Sequence, residues 1–117
     1  MTDFAGVDET VLTRLSKAVG ADVTQEIIDL FREHTPLRIE AAREGLRSGV
    51  LDEVARAMHS LKSSAAMIGA SRVEEIAIRV EETATEQRAD ALSSQLDDLD
   101  SAVAQVETYL ETRGKRC

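Results

Sequence analysis

The sequence has one cysteine, one proline, one tyrosine, two phenylalanines and no tryptophan among its 117 residues. A chain with a single cysteine forms no disulfide within itself, and that residue, Cys117, is the last in the sequence and reads as part of a polar tail. So few aromatics and turn-formers argue against a sandwich or barrel, which needs many turns and β-forming side chains. Basic residues are also short, 14 against 22 acidic, for a formal net charge of −8. That balance argues against nucleic acid as a partner and against an anionic membrane surface. No apolar run approaches the roughly 18 residues that span a bilayer. The opening MTDFAGVDET lacks the basic and then apolar pattern of a secretory signal. These features point to a cytoplasmic protein, and the length suits one domain over residues 1–117.

What is abundant is Ala, Leu, Glu and Arg, the strong helix formers. Five helices are expected. Asp8 caps a short first helix carrying Val11, Leu12, Leu15 and Val19, which ends at Gly20. Asp22 or Thr24 opens a long second helix with Val23, Ile27, Leu30, Phe31, Leu37 and Ala41 as its apolar positions, running to Gly49. Pro36 should kink or locally break it. The third runs from near Leu51 to Gly69, with Leu51, Val54, Met58, Leu61, Ala65 and Ile68 on one stripe and Gly69 as its left-handed stop. Ser71 and Glu74 suggest a capping box for the fourth, which carries Val73, Ile76, Ala77, Val80 and Ala84. Asp90 is placed to cap the fifth, with Leu92, Leu96, Leu99, Val103, Val106 and Leu110 as its stripe, and residues 112–117 as a frayed tail. Short loops and one stripe per helix predict an all-α, antiparallel up-down-up-down four-helix bundle with the short N-terminal helix as a lid.

Motifs for self-sufficient catalysis are missing. There is no HExxH, no paired cysteine, no GxxxxGK[ST], no GxGxxG and no G-x-S-x-G, and neither His34 nor His59 belongs to a Glu-x-x-His pair. The informative window is His59-Ser-Leu-Lys-Ser-Ser-Ala-Ala-Met-Ile-Gly-Ala70. At about 100° per residue, His59 falls off the apolar stripe, among Ala55, Arg56, Lys62, Ser63 and Ala66. Three of these are small, so the ring should stand clear of the surface, with the Lys62 ammonium reaching back toward it. A neutral imidazole is a nucleophile near neutral pH. Without a pocket it can still accept a phosphoryl group from a partner that brings the rest of the site, and Lys62 would favour the phosphoryl oxygens. A surface His with Lys three residues later is also an ordinary feature of helices. His34, between Phe31 and Leu37, reads as a buried or half-buried histidine with a local hydrogen bond.

The run H-S-L-K-S-S-A-A-M-I-G-A resembles the signature of histidine-containing phosphotransfer (HPt) domains, H-x-L-K-G-S-[SA], a short apolar stretch, then G-[AS]. Ala57-Met58 upstream, Glu81 within Ile78-Arg-Val-Glu-Glu downstream, and the long preceding helix with a proline after Phe31 fit the same family. The likeness covers roughly residues 22 to 90. It implies that His59 is the phosphoacceptor, at Nε2, that Lys62 stabilises the phosphoryl group, and that Gly69 is structural. Ser63 stands where the family usually has Gly. The resemblance further implies a phosphocarrier, not an enzyme, that exchanges phosphoryl groups with receiver domains of response regulators or takes them from a sensor or hybrid histidine kinase. Magnesium would belong to the receiver, and this chain would need no metal or other cofactor. A monomer is expected. The docking surface would comprise Ala55, Arg56, Ser60, Lys62, Ser63, Ala66 and Met67, with Arg32, Thr35, Pro36 and Ile39 from the long helix. Met67 is either a partner contact or an ordinary exposed residue. Arg32 and Arg38 either complement an acidic receiver or form a solvated flank. Two other classes compete: a helical adaptor or dimerisation module in which His59 is incidental, and a degenerate sensor-kinase domain that binds without phosphotransfer.

Overall fold

The computed structural model describes residues 3–114. Strands β1 (Asp3–Phe4) and β2 (Val7–Asp8) form a small antiparallel hairpin, followed by helices α1 (Glu9–Val19), α2 (Ala21–Ser48), α3 (Leu51–Ile68), α4 (Ser71–Thr85) and α5 (Leu92–Gly114). A single 3₁₀ turn, Ala89–Ala91, leads into α5. Helix α3 lies between α2 and α4, α5 packs on α4 and more lightly on α2, and α1 rests on α2 and α3.

Local chemistry accounts for the helix boundaries. The Asp8 carboxylate accepts from the Thr10 backbone N–H at 3.0 Å and from its hydroxyl at 2.6 Å, capping α1 as expected. Helices α2 and α3 end on the same device. Gly49 and Gly69 both sit at φ 76, the left-handed region that favours glycine. In each case the next residue donates back five positions, Val50 to the Gly45 carbonyl at 2.8 Å and Ala70 to the Ala65 carbonyl at 2.9 Å. The hairpin, which has no counterpart in the sequence expectation, closes over the second of these turns. Asp8 donates its N–H to the Gly69 carbonyl at 2.8 Å, and the Ser71 hydroxyl donates to the Gly6 carbonyl at 3.3 Å.

Several expectations are corrected. Helix α2 is continuous through Pro36, which stands on its exposed face, where water can take over the hydrogen bond the ring removes. It begins at Ala21 behind Gly20, not at a cap formed by Asp22 or Thr24. Its buried side is Thr24, Ile28, Phe31, Thr35, Ile39, Ala42 and Gly45, whereas Val23, Leu30 and Leu37 are exposed. Ser71 is the first residue of α4 and Ala70 the cap position, without a side-chain cap bond, so the capping box does not form. Asp90 lies inside the 3₁₀ turn and not at the start of α5. The helix predicted to fray from Thr112 continues to Gly114, and Cys117 lies outside the described residues. The stripes of α3 and α4 are buried as predicted, as are Leu92, Leu96, Leu99, Val106 and Leu110 of α5, with Val103 partly so. Among the described residues no helix is long and apolar enough to cross a membrane.

A Cβ on Gly69 would sit 2.6 Å from the Asp8 carbonyl oxygen and 2.9 Å from Val11 Cβ, while one on Gly49 would meet nothing within 4 Å. Gly49→Ala should therefore cost only left-handed strain, ~1 kcal/mol, and Gly69→Ala more than ~2 kcal/mol. Urea unfolding of the two variants checks this, and equal losses would show that the hairpin contact adds nothing.

Candidate functional site

Met58 and Leu61 are fully buried, and His59, one step around the helix from Met58, therefore faces out. Its side chain is 65% exposed. The ring has a definite partner: Nδ1 lies 3.1 Å from Glu81 Oε2 on α4. The other oxygen of the same carboxylate, Oε1, accepts from Lys62 Nζ at 2.8 Å. The ammonium is thus turned to Glu81 and not directly to the ring. The Lys62 donor above all, with the His59 contact assisting, holds the Glu81 carboxyl below its ordinary 4.5, against partial burial that acts to raise it.

An ionised carboxylate only accepts, so Nδ1 is the donor, and in the neutral ring this tautomer leaves the Nε2 lone pair bare. Glu81 itself is only 23% exposed, wedged beside the buried Ala77, Val80 and Ala84 of its helix. An anchored ring edge and an open nucleophilic edge suit attack on an electrophile presented from outside the molecule. Among the described residues no group of three or more His, Cys, Asp or Glu side chains converges as a metal site would.

Next to the ring, α2 and α3 enclose an open, largely apolar groove of about 450 Å³, lined by Ile27, Leu30, Phe31, His34 and Arg38 of α2 and by His59, Ser60, Ser63, Ser64 and Met67 of α3. Of the α3 residues expected at a docking surface, Arg56, Ser63, Ala66 and Met67 are exposed, and Ser60, Lys62 and Ala55 are half-buried, Ala55 packing partly against the core. On α2 the expected residues are placed differently. Thr35 is 1% exposed with its hydroxyl donated to the Phe31 carbonyl at 2.6 Å, and Ile39 is 8% exposed in the core, so neither can meet a partner. The Arg32 guanidinium is committed to Glu107 of α5, and Pro36 does not line the groove. The residues that do, Ile27, Leu30, His34 and Arg38, lie roughly two-fifths of a turn away around the helix. His34 is half-buried, as expected, and faces this groove. Sequence reasoning noted Glu81 without giving it a role. It lies 22 residues from His59 on a separate helix, where no local spacing rule connects the two.

The depressed Glu81 carboxyl fixes the sign of a pH effect. Its contribution to stability is complete above the unfolded value and is lost as pH falls through the folded one. The stability gap between wild type and Glu81→Gln should be widest at neutral pH and close on acidification below 4.5, read by urea titrations at neutral and acid pH. A gap that stays constant would uncouple Glu81 from Lys62 and His59.

The structure is similar to the crystal structure of histidine-containing phosphotransfer protein B (HptB) from Pseudomonas aeruginosa PAO1, with TM-score 0.90 and 19% identity over 96% of each chain, a likeness of fold. No curated protein matches the chain. Residues 26–109 match the Hpt domain, and the chain belongs to that family.

Proposed function

We propose that this chain is a phosphocarrier of a two-component phosphorelay, taking a phosphoryl group onto His59 from the aspartate of one receiver domain and passing it to another. Its membership of the Hpt domain family supports histidine phosphotransfer in general. The observation that carries the specific assignment is the ring itself, tethered at Nδ1 by Glu81 and bare at Nε2. In the transfer, the Nε2 lone pair attacks the phosphorus of the partner's acyl phosphate. The N–P bond forms, the P–O bond to the aspartate breaks, and the carboxylate leaves with the bonding pair. The ring gains positive charge while Nδ1–H stays on Glu81, whose carboxylate offsets that charge. Lys62, already on the other Glu81 oxygen, moves from carboxylate to phosphoryl oxygens. The reverse transfer uses the same contacts.

In this reading the chain is not an enzyme by itself. The receiver brings the aspartate and the Mg²⁺, and α3 brings the docking surface, Ala55, Arg56, Ser60, Ser63, Ala66 and Met67, together with the groove face of α2. Ser63, in place of the usual Gly, keeps a small side chain at this surface, with its hydroxyl turned back to the His59 carbonyl at 3.3 Å. A sensor or hybrid kinase is a second source of phosphate. The chain works as a monomer, with α2 to α5 as an antiparallel four-helix bundle, an arrangement that the packing of α3 between α2 and α4, and of α5 on α4 and α2, supports.

Incubation with a labelled phosphoreceiver should place acid-labile, base-stable label on the wild type and none on His59→Gln. Lys62→Ala should slow transfer roughly tenfold, the worth of one charge-assisted hydrogen bond, with helical circular dichroism retained. An unchanged rate would remove Lys62 from the mechanism. Label on His59→Gln, or no label with any receiver or kinase, would leave the helical adaptor as the better account.

A further inference from the structure

Most arginines on the two helices flanking the groove are neutralised. On α2, Arg32 pairs with Glu107, Arg43 with Asp97 and Asp100, and Arg47 with Glu40 and Glu44. Arg38 differs. Among the described residues no carboxylate reaches it, and its guanidinium donates instead to the Ser64 hydroxyl at 3.1 Å. Arg56, the sole arginine of α3, likewise has no carboxylate partner among the described residues. The two line one shallow depression with Leu37, Ala41 and Ser60, and through Arg38 and Ser60 that depression runs into the groove beside His59. Glu53 also lines it but pairs with neither arginine.

Among the described residues other cations of this acidic chain, such as Lys17 and Arg79, also stand without a carboxylate, but Arg38 and Arg56 are brought into one depression that adjoins the groove of the reactive ring. Exposure to solvent would explain a lone arginine on a helix flank. It does not explain Arg38, which is half-buried and held in the groove wall by a neutral hydroxyl. Such a guanidinium has given up part of its hydration without gaining the planar carboxylate its fork geometry suits. Leu37, 66% exposed in the same depression, adds apolar surface. The His59 ring is bonded to Glu81, so these cations are placed to act on docking and not on the ring.

We propose, on the footing of the phosphocarrier reading, that Arg38 and Arg56 form a two-arginine clamp. It selects receiver domains that carry carboxylates on the rim of the phosphoaspartate site, one carboxylate to each guanidinium. Charges at an interface rim steer encounter and set specificity, and their effect fades with salt.

The test uses the full chain as wild type, Arg38→Ala/Arg56→Ala, Arg38→Lys/Arg56→Lys and Arg38→Glu/Arg56→Glu. Each is first loaded with phosphoramidate, a small donor whose P–N bond breaks with loss of ammonia and which needs no receiver. Transfer to a receiver domain that exchanges label with the wild type is then timed at low salt and at about 1 M salt, where the Debye length is ~3 Å. The double alanine variant should raise KM roughly tenfold at low salt, with the loss falling on KM and not on kcat. The lysine pair should recover most of it, the glutamate pair should lose more than alanine, and the variants should converge on the wild type at high salt. An alanine KM within about twofold of wild type at low salt, or a loss that persists undiminished at high salt, overturns the clamp. Failure of the folded wild type to load at His59 would instead overturn the phosphocarrier reading, so the two fail separately.

Discussion

One carboxylate organises the reactive face. Glu81 divides its two oxygens between the His59 ring and the Lys62 ammonium, joining α4 to two positions on α3. A single charge thereby settles three matters: which ring nitrogen holds the proton, which edge of the ring is presented, and where the nearby cation rests. For Glu81 to reach, α3 and α4 must approach closely and in a fixed register. Small buried side chains, Ala65 on one helix and Ala77 and Ala84 on the other, permit the approach. The turn at Gly69, held by the hairpin through Asp8, fixes the register.

Helix α2 shows how apolar periodicity can be genuine and still be assigned to the wrong side. Val23, Ile27, Leu30, Leu37 and Ala41 recur at helical spacing, but Val23, Leu30, Leu37 and Ala41 are exposed and Ile27 only edges the core while lining the groove. The core side includes Thr24 and Thr35, which a hydrophobicity criterion passes over. Both are buried at little cost because their hydroxyls bond carbonyls of the preceding turn, Thr24 to Gly20 at 2.8 Å and Thr35 to Phe31 at 2.6 Å. Reading one stripe for the other is why Thr35 and Ile39 seemed to lie on the surface and Leu30 in the core, whereas Pro36 is exposed and Arg38 lines the groove.

Elsewhere the helical pattern was easier to read. Helices α3, α4 and α5 each have one unambiguous stripe with glycine or a turn at its ends, and His59 lies clear of its stripe, so its exposure followed from position alone. The caps were legible only in part. Asp8 ends the hairpin but keeps its side chain free to cap α1, whereas Ser71 follows a glycine turn that already ends one helix and begins the next, so its hydroxyl serves the hairpin instead. The hairpin turns on Ala5 and Gly6, without the Asn-Gly or Asp-Gly pair that marks such turns in sequence. The partnership of His59 with Glu81 is tertiary, and no local pattern encodes it.

The seam between α2 and α5 is of a different character from the one between α3 and α4. It is bridged at its edges by Arg32 with Glu107 and by Arg43 with Asp97 and Asp100, while the pair that carries the histidine is joined through fully buried apolar side chains. Ion pairs of partial exposure weaken with ionic strength and apolar packing does not. Changes in the ionic medium therefore fall on the two flanks unequally: the rear wall slackens by a small amount while the nucleophile's own scaffold holds its shape.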